Sequence, residues 1–238
     1  YLWKATGATY TGEWKKNVMH GNGTLKEPSN PQAAMNGFEY SGTFAKGCKA
    51  GRGRCRYDTG RSYDGEWAED RPHGQGALQG STSDIFSNYT GPFAGGLRHG
   101  GGGRCEYTSG DSFVGDWIAD LRHGNGELTF GPSSPEASYR GTFEHDAISG
   151  SGAIIYRSGE QYEGNVLNGS KNGSGRQSVA DGAGTTYVGE FSNNNRHGHG
   201  EITEPRGYSY AGGWYYGQWE GKGHFKAISP QHPIATTQ

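Results

Sequence analysis

The sequence predicts an all-β chain built as an array of nine consecutive β-hairpins. Three observations point there. An aromatic residue is followed two places later by glycine at nine points, starting at Tyr10, Tyr40, Tyr63, Tyr89, Phe113, Tyr139, Tyr162, Tyr187 and Tyr210. Ten to thirteen residues after each aromatic comes an x-Gly-x-Gly run, as in His20-Gly21-Asn22-Gly23 and His73-Gly74-Gln75-Gly76. The chain also holds 45 glycines in 238 residues while only 31% of it is hydrophobic. Glycine far above its usual share of about 7% needs a structural reason, and a repeat supplies one. Aromatics at 13% set the chain apart from disordered sequences, which are poor in rings.

Each unit reads in the same order. Its first strand carries the aromatic, the glycine and a second ring at alternate positions, so period two puts all three on one face. The second ring runs Trp14, Phe44, Trp67, Phe93, Trp117, Phe143, Val166, Phe191 and Trp214, with valine replacing it once. Seven residues after the first aromatic lies a turn: Asn17, Gly47, Asp70, Gly96, Asp120, Asp146, Gly169, Asn194 and Gly217. All are residue types that tolerate positive φ. A second strand carrying Gly-x-Gly then closes the hairpin. Glycine between two rings leaves room for a neighbouring ring to lie over the backbone. A lone hairpin is marginal in water, so stability has to come from stacked neighbours.

Successive units start 30, 23, 26, 24, 26, 23, 25 and 23 residues apart. The spacing inside a unit is constant, so all variation falls in the connection after x-Gly-x-Gly, as expected of a surface loop. The longer connections follow odd units, at residues 27–36, 80–88 and 131–138. They form one candidate surface for partner contacts. Between other units, Tyr-x-x-Gly at 57–60, 107–110 and 156–159 reads as a tight turn.

The pattern Tyr-x-Gly-x-Trp, turn, His-Gly-x-Gly, with Tyr-x-x-Gly between units, resembles the MORN repeat (membrane occupation and recognition nexus) over residues 1–225. The departures are Val166, and Ala50, Ser149, Asn172 and Glu220 where the pattern has histidine. The resemblance implies an elongated, twisted, antiparallel single-sheet array, a MORN-repeat solenoid, with a groove lined by the Tyr and Trp rows. Two strands per unit at about 4.8 Å would make a rod on the order of 85 Å. In members such as junctophilins, plant phosphatidylinositol phosphate kinases and ciliary radial-spoke proteins, the repeats bind, space or dimerise, and the chemistry sits in another domain. Choline-binding hairpins share the glycine and ring content, and Trp214-Tyr215-Tyr216 is similar to theirs, but they lack the His-Gly-x-Gly frame. Residues 226–238, with Pro230 and Pro233, read as a C-terminal linker or tail.

Candidate chemistry is sparse. His20, His73, His99, His123 and His197 share one repeat position. Neighbours would lie about 9.6 Å apart, too far for a zinc ion that needs ligands at about 2.0–2.1 Å, so they read as rings packed beside glycine. Cys55 and Cys105 stand two units apart and cannot pair; they read as buried small residues, as does Ile154, and Cys48 as exposed. Glu13, Glu66, Asp116 and Glu190 alternate with the ring face and read as a solvated charged face. No Gly-x-Gly opens a helix, which excludes a phosphate loop. The sequons at Asn22, Asn88, Asn168 and Asn172 read as chance matches in a chain rich in Asn, Gly and Ser.

The net charge of −2 gives no general attraction to nucleic acid. Phosphoinositide binding would need clustered cations, and the candidates Lys15, Lys16, Arg52, Arg54, Arg56, Arg98 and Arg104 are interleaved with acids. An odd cysteine count suits a reducing compartment, and the start at Tyr1 without Met suggests part of a longer chain. The expectation is a non-catalytic scaffold or adaptor that binds protein partners in a cytoskeletal, ciliary or flagellar assembly of the cytoplasm. The alternative is a membrane- or phosphoinositide-targeting module of a larger protein such as a lipid kinase. No cofactor, metal or nucleic acid is expected. The partners are proteins held by the groove and the odd-unit loops, with a homodimer through open sheet edges, and phospholipid as the weaker option. The mid-array rings Tyr63, Trp67, Tyr89, Phe93, Phe113 and Trp117 are the candidate partner surface, and plain core packing is the competing reading for each.

Overall fold

The computed structural model describes residues 2–3, 7–30 and 36–227, and every regular element among them is a β-strand. The chain divides into two compact units, Tyr1–Gly126 and Glu127–Gln238. The first holds the hairpins that begin at Tyr10, Tyr40, Tyr63 and Tyr89 and, as far as Gly126, the one that begins at Phe113; the second holds those that begin at Tyr139, Tyr162, Tyr187 and Tyr210. Ser62–Ala68 pairs antiparallel with Arg71–Gln79, and Gln161–Leu167 with Ser170–Ser178. Within each unit, successive hairpins also pair antiparallel, as Cys48–Tyr57 does with Ser62–Ala68 and Ser170–Ser178 with Thr186–Ser192. The last strand, Gln218–Ala227, runs two residues into the segment expected to be a tail; 228–238 lie outside the described residues, as do 31–35 of the first long connection.

The hairpin turns are two-residue turns in which both central residues have positive φ, the geometry whose twist matches the flanking strands. The residue seven places after the aromatic behaves as its type predicts, with Asn17 at 62°, Asp70 at 65° and Gly217 at 84°. The residue before it is also left-handed although its type gives no hint: Lys16 at 50°, Glu69 at 49°, Ala119 at 49°. Neighbouring turns are tied to the array from outside. Gly47 N–H donates to Met19 O (3.0 Å), Gly96 N–H to Pro72 O (2.9 Å) and Asn194 N–H to Lys171 O (3.0 Å). The tight turns at 57–60, 107–110 and 156–159 close by hydrogen bonds from Gly60, Gly110 and Gly159 N–H to the tyrosine carbonyls.

The glycines form a ladder. Gly65 faces Gly76 within its hairpin and Gly53 in the preceding one, and Gly164 faces Gly175 and Gly152 in the same way. In the eight hairpins that begin with tyrosine, that ring lies flat along this strip. Its hydroxyl donates to the carbonyl three residues on: Tyr40 to Thr43 (2.9 Å), Tyr63 to Glu66 (2.9 Å), Tyr162 to Asn165 (2.7 Å), Tyr187 to Glu190 (3.0 Å). A methyl group on Gly76 would stand 2.5 Å from Tyr63 Cε2 and Cζ. The glycines are therefore a steric requirement of the ring.

The constant internal spacing fails once. In the fourth hairpin Gly103, not Gly102, faces Gly115, so its second strand holds one extra residue. That strand breaks between Leu97–Arg98 and Gly100–Tyr107. Gly100-Gly101-Gly102-Gly103 offers no side chain to set the register, and pairing with the flanking strands decides it.

Candidate functional site

The structure brings the six predicted rings together and buries them. Tyr63, Tyr89, Phe113 and Trp117 are at most 1% exposed, and Trp67 and Phe93 are 4% exposed. In the first four hairpins the first-position ring meets the fifth-position ring of its own hairpin and of the next edge-on. Tyr40 touches Phe44 and Trp67, Tyr63 touches Trp67 and Phe93, and Tyr89 touches Phe93 and Trp117, with centroids 5.1–5.4 Å apart. Such contacts contribute about 0.5–1.5 kcal/mol each beyond burial. The tryptophans are fixed further, since Trp67 Nε1 donates to Gly53 O (2.9 Å) and Trp117 Nε1 to Gly103 O (3.1 Å). These rings are the core of the ring face, so a partner laid on that face meets other side chains.

Those side chains occupy a row missed from the sequence, nine residues after the first aromatic. In the first unit it reads Met19, Lys49, Pro72, Arg98 and Arg122; in the second, Ile148, Lys171, Arg196 and Trp219. The cations fold over the rings. Lys49 Nζ sits 4.1 Å from the centroid of Phe38 and 5.0 Å from that of Trp67, and the Arg98 guanidinium lies 4.3 Å from Trp117. Cation–π contact and burial of the aliphatic stem both favour this placement. Arg98 pairs with Asp120 at 3.0 Å and Lys171 with Glu160 at 3.0 Å, whereas no described carboxylate lies within ion-pairing distance of Lys49. The spacing that locates this row was constant, but a mix of Lys, Arg, Pro, Met and Ile carries no compositional signal.

The row also carries the backbone to the next turn. Lys49 N–H donates to Asp70 Oδ1 (2.8 Å), Arg98 N–H to Asp120 Oδ1 (2.9 Å) and Lys171 N–H to Asn194 Oδ1 (2.8 Å). In the third hairpin both partners are absent together. Pro72 has no N–H, and the next turn residue, Gly96, has no side chain. Nor does proline reach across the face, and a cavity of about 580 Å³ opens there, lined by Tyr57, Arg61, Pro72, Leu78, Ser83 and Phe93 among others. Leu78 is half-buried at its floor, while Cys55 and Cys105 at the equivalent position are fully buried and Arg98 Nη1 reaches Cys105 Sγ at 3.6 Å.

The other candidate groups are engaged in structure. Glu13, Glu66, Asp116 and Glu190 each accept a backbone N–H, from Asn22 (2.8 Å), Gln75 (3.1 Å), Asn125 (3.1 Å) and His199 (3.0 Å). They cap the bulge where Gly21, Gly74, Gly124 and Gly198 have φ of 56–61°, a narrower role than a solvated charged face. No group of three or more His, Cys, Asp or Glu side chains placed to hold a metal occurs among the described residues. Cys55 and Cys105 are 0% exposed and Cys48 is half-buried rather than exposed. Arg52, Arg54 and Arg56 lie opposite Glu66, Asp64 and Glu39, and Arg104 pairs with Glu106 at 3.2 Å. The loop at 80–88 is ordered by Asp84, which accepts from Ser81 N–H and Oγ and binds both arms of Arg61. The loop at 131–138 receives Arg157, which donates to Phe130, Gly131 and Ser134 carbonyls.

Comparison with known proteins agrees with this architecture. The chain is 36% identical to mouse ALS2 C-terminal-like protein over 100 residues, covering 40% of this chain and 10% of that protein. It is 35% identical to rat alsin over 100 residues, 40% of this chain and 6% of alsin. The human ALS2 C-terminal-like protein is 34% identical over 111 residues, 43% of this chain and 11% of the other. The matched stretch spans about a tenth or less of these relatives. The MORN repeat model matches residues 10–28, 40–60, 63–85, 113–134, 139–161, 162–183 and 187–205. It passes over the fourth hairpin, with its extra residue, and the ninth. These matches cover more than half of the chain, which belongs to the MORN repeat family.

Proposed function

We propose that the chain is a non-catalytic scaffold module that holds protein partners on its ring face, in a cytoskeletal or ciliary assembly as the family resemblance suggests. One observation carries the reading. In each unit the ring face is a single layer of strands with no helix among the described residues to cover it, yet it presents cations and half-buried apolar side chains such as Lys49, Pro72 and Leu78. A face of this composition suits another polypeptide, because cations and apolar groups together match mixed peptide surfaces better than a lipid headgroup layer. The polar groups that could do chemistry are committed to capping backbone donors, which supports a structural role for them.

The test is affinity capture from native lysate with the whole chain, followed by hydroxyl-radical footprinting of side chains in the captured complex. Specific proteins should be captured, and labelling should fall at Pro72 and Leu78 rather than at Arg52 and Arg54, which alternate to the opposite face. Capture with protection confined to the opposite face would overturn the ring-face assignment. Binding only to phosphoinositide vesicles would replace the scaffold reading with membrane targeting.

A further inference from the structure

We propose that the cavity over the third hairpin is a binding site for an extended segment of a protein partner, which inserts a long aliphatic side chain next to a carboxylate. This rests on the protein-binding function proposed above and names the ligand it takes.

The shape follows from one substitution in the row. In the fourth hairpin a long stem, that of Arg98, lies across the ring face and covers the residue below it. Pro72 is too short to do so, and Leu78, Tyr57 and Pro72 are left half-buried around a space of about 580 Å³. That volume lies in the range of formed ligand sites, about 300–1,000 Å³. The missing cover is an unbranched or γ-branched aliphatic chain, so leucine or methionine is the side chain that replaces it. A cationic head would find no carboxylate among the residues that line the space. Asp84, next to the lining residue Ser83 in sequence, is already bound by Arg61, and the next turn, at Gly96, carries no carboxylate.

Charge sets the other half of the ligand. Lys49 is the neighbour of Pro72 in the row, one hairpin back. It is 8% exposed, rests on Phe38, Tyr40 and Trp67, and has no described carboxylate to pair with. Its counterparts Arg98 and Lys171 both have one. Asp70, the counterpart of Asp120, accepts the Lys49 backbone N–H and is not ion-paired with its ammonium, so an acidic side chain on the bound segment would supply that pair. Neighbouring row positions lie about 9.6 Å apart, and an extended segment in the polyproline II conformation advances about 3.1 Å per residue with three residues per turn, so the aliphatic and acidic residues belong about three positions apart on one side of it.

The experiment is selection of random octapeptides displayed on phage against the whole immobilised chain. The counter-target is the double variant Pro72→Arg, Gly96→Asp, which copies the Arg98–Asp120 arrangement into the third hairpin and fills the cavity. Ser83→Trp, made at an exposed rim position, fills it independently should the double variant not fold. Peptides retained by the wild-type chain alone should pair Leu or Met with Asp or Glu about three residues away. A synthetic peptide of that consensus should bind a filled variant at least about tenfold more weakly, and Lys49→Met should abolish its preference for glutamate over glutamine. Equal binding to a filled variant, enrichment of basic peptides, or no enrichment would overturn the site. If a filled variant still captures the wild-type set of lysate proteins, the protein-binding reading survives and this site falls. If wild type captures none, that reading falls as well.

Discussion

Replacing Gly76 by alanine separates two physical accounts of the glycine ladder. Backbone entropy alone makes Gly→Ala in a strand stabilising by about 0.5–1 kcal/mol. The structure requires the opposite sign. The new Cβ would stand 2.5 Å from two ring carbons of Tyr63, closer than carbon atoms pack. The ring cannot retreat, because Tyr63 is 1% exposed, Trp67 and Phe93 hold it edge-on with centroids at 5.1 Å, and its hydroxyl is bound to Glu66 O at 2.9 Å. Overpacking costs about 1–3 kcal/mol. Displacing the ring forfeits a hydrogen bond of about 0.5–1.5 kcal/mol and two ring contacts of similar size. The net expectation is destabilisation of about 2–4 kcal/mol, or a melting temperature lower by about 5–15 °C for a chain of this size. Thermal unfolding followed by circular dichroism and tryptophan fluorescence reads it. A double-mutant cycle with Tyr63→Val should show a coupling above about 1 kcal/mol, since the shorter side chain leaves room for the methyl group. A Gly76→Ala protein that melts at or above the wild type, or a cycle without coupling, would refute the steric argument.

Three further outcomes are expected. Phe113 stands where the other hairpins have tyrosine, so Phe113→Tyr should gain a hydrogen bond to Asp116 O and about 0.5–1.5 kcal/mol of stability, read as a higher melting temperature. The Arg61 guanidinium holds the Asp84 carboxyl well below the usual carboxylate range. The stability from this lowered value is present above the unfolded value of about 3.9 and is lost as pH falls below it; Asp84→Asn should flatten the acid limb of a melting-temperature profile. Burial pushes the Tyr63 and Tyr162 phenols up to about 12. Stability from these raised values is full below the unfolded value of about 10 and is lost as pH rises from there toward 12; phenolate absorbance should therefore show a late group of tyrosines whose titration coincides with alkaline unfolding.

The hairpins, their number and their turns were legible because each rests on local chemistry repeated at fixed spacing: period-two rings, glycine beside them, and Gly, Asn or Asp where φ is positive. The Phe113 start was as clear as any tyrosine start, because a ring of either kind fills the same place over glycine. The register of the fourth hairpin was not legible, since four successive glycines leave the choice to the neighbouring strands. The fate of the six candidate rings was open for a related reason. Period two fixes the face a ring occupies, but whether that face is bare or closed depends on the rings of adjacent hairpins meeting edge-on, a contact between residues more than twenty apart such as Tyr40 and Trp67.

By itself the sequence determined the strand, turn and strand of each repeat, the face that carries the rings and the need for glycine beneath them, because these follow from side-chain alternation and backbone sterics within a few residues. Only the tertiary structure decided which groups remain available on that face. It buries Trp67 and Trp117, turns Glu13 and Glu66 into caps for a bulge, and lays Lys49 and Arg98 across the rings. Leu78 and the space above it are left uncovered where Pro72 is too short to reach. Those outcomes depend on the length of one side chain measured against a ring in the next hairpin, a distance that exists once neighbouring strands have paired.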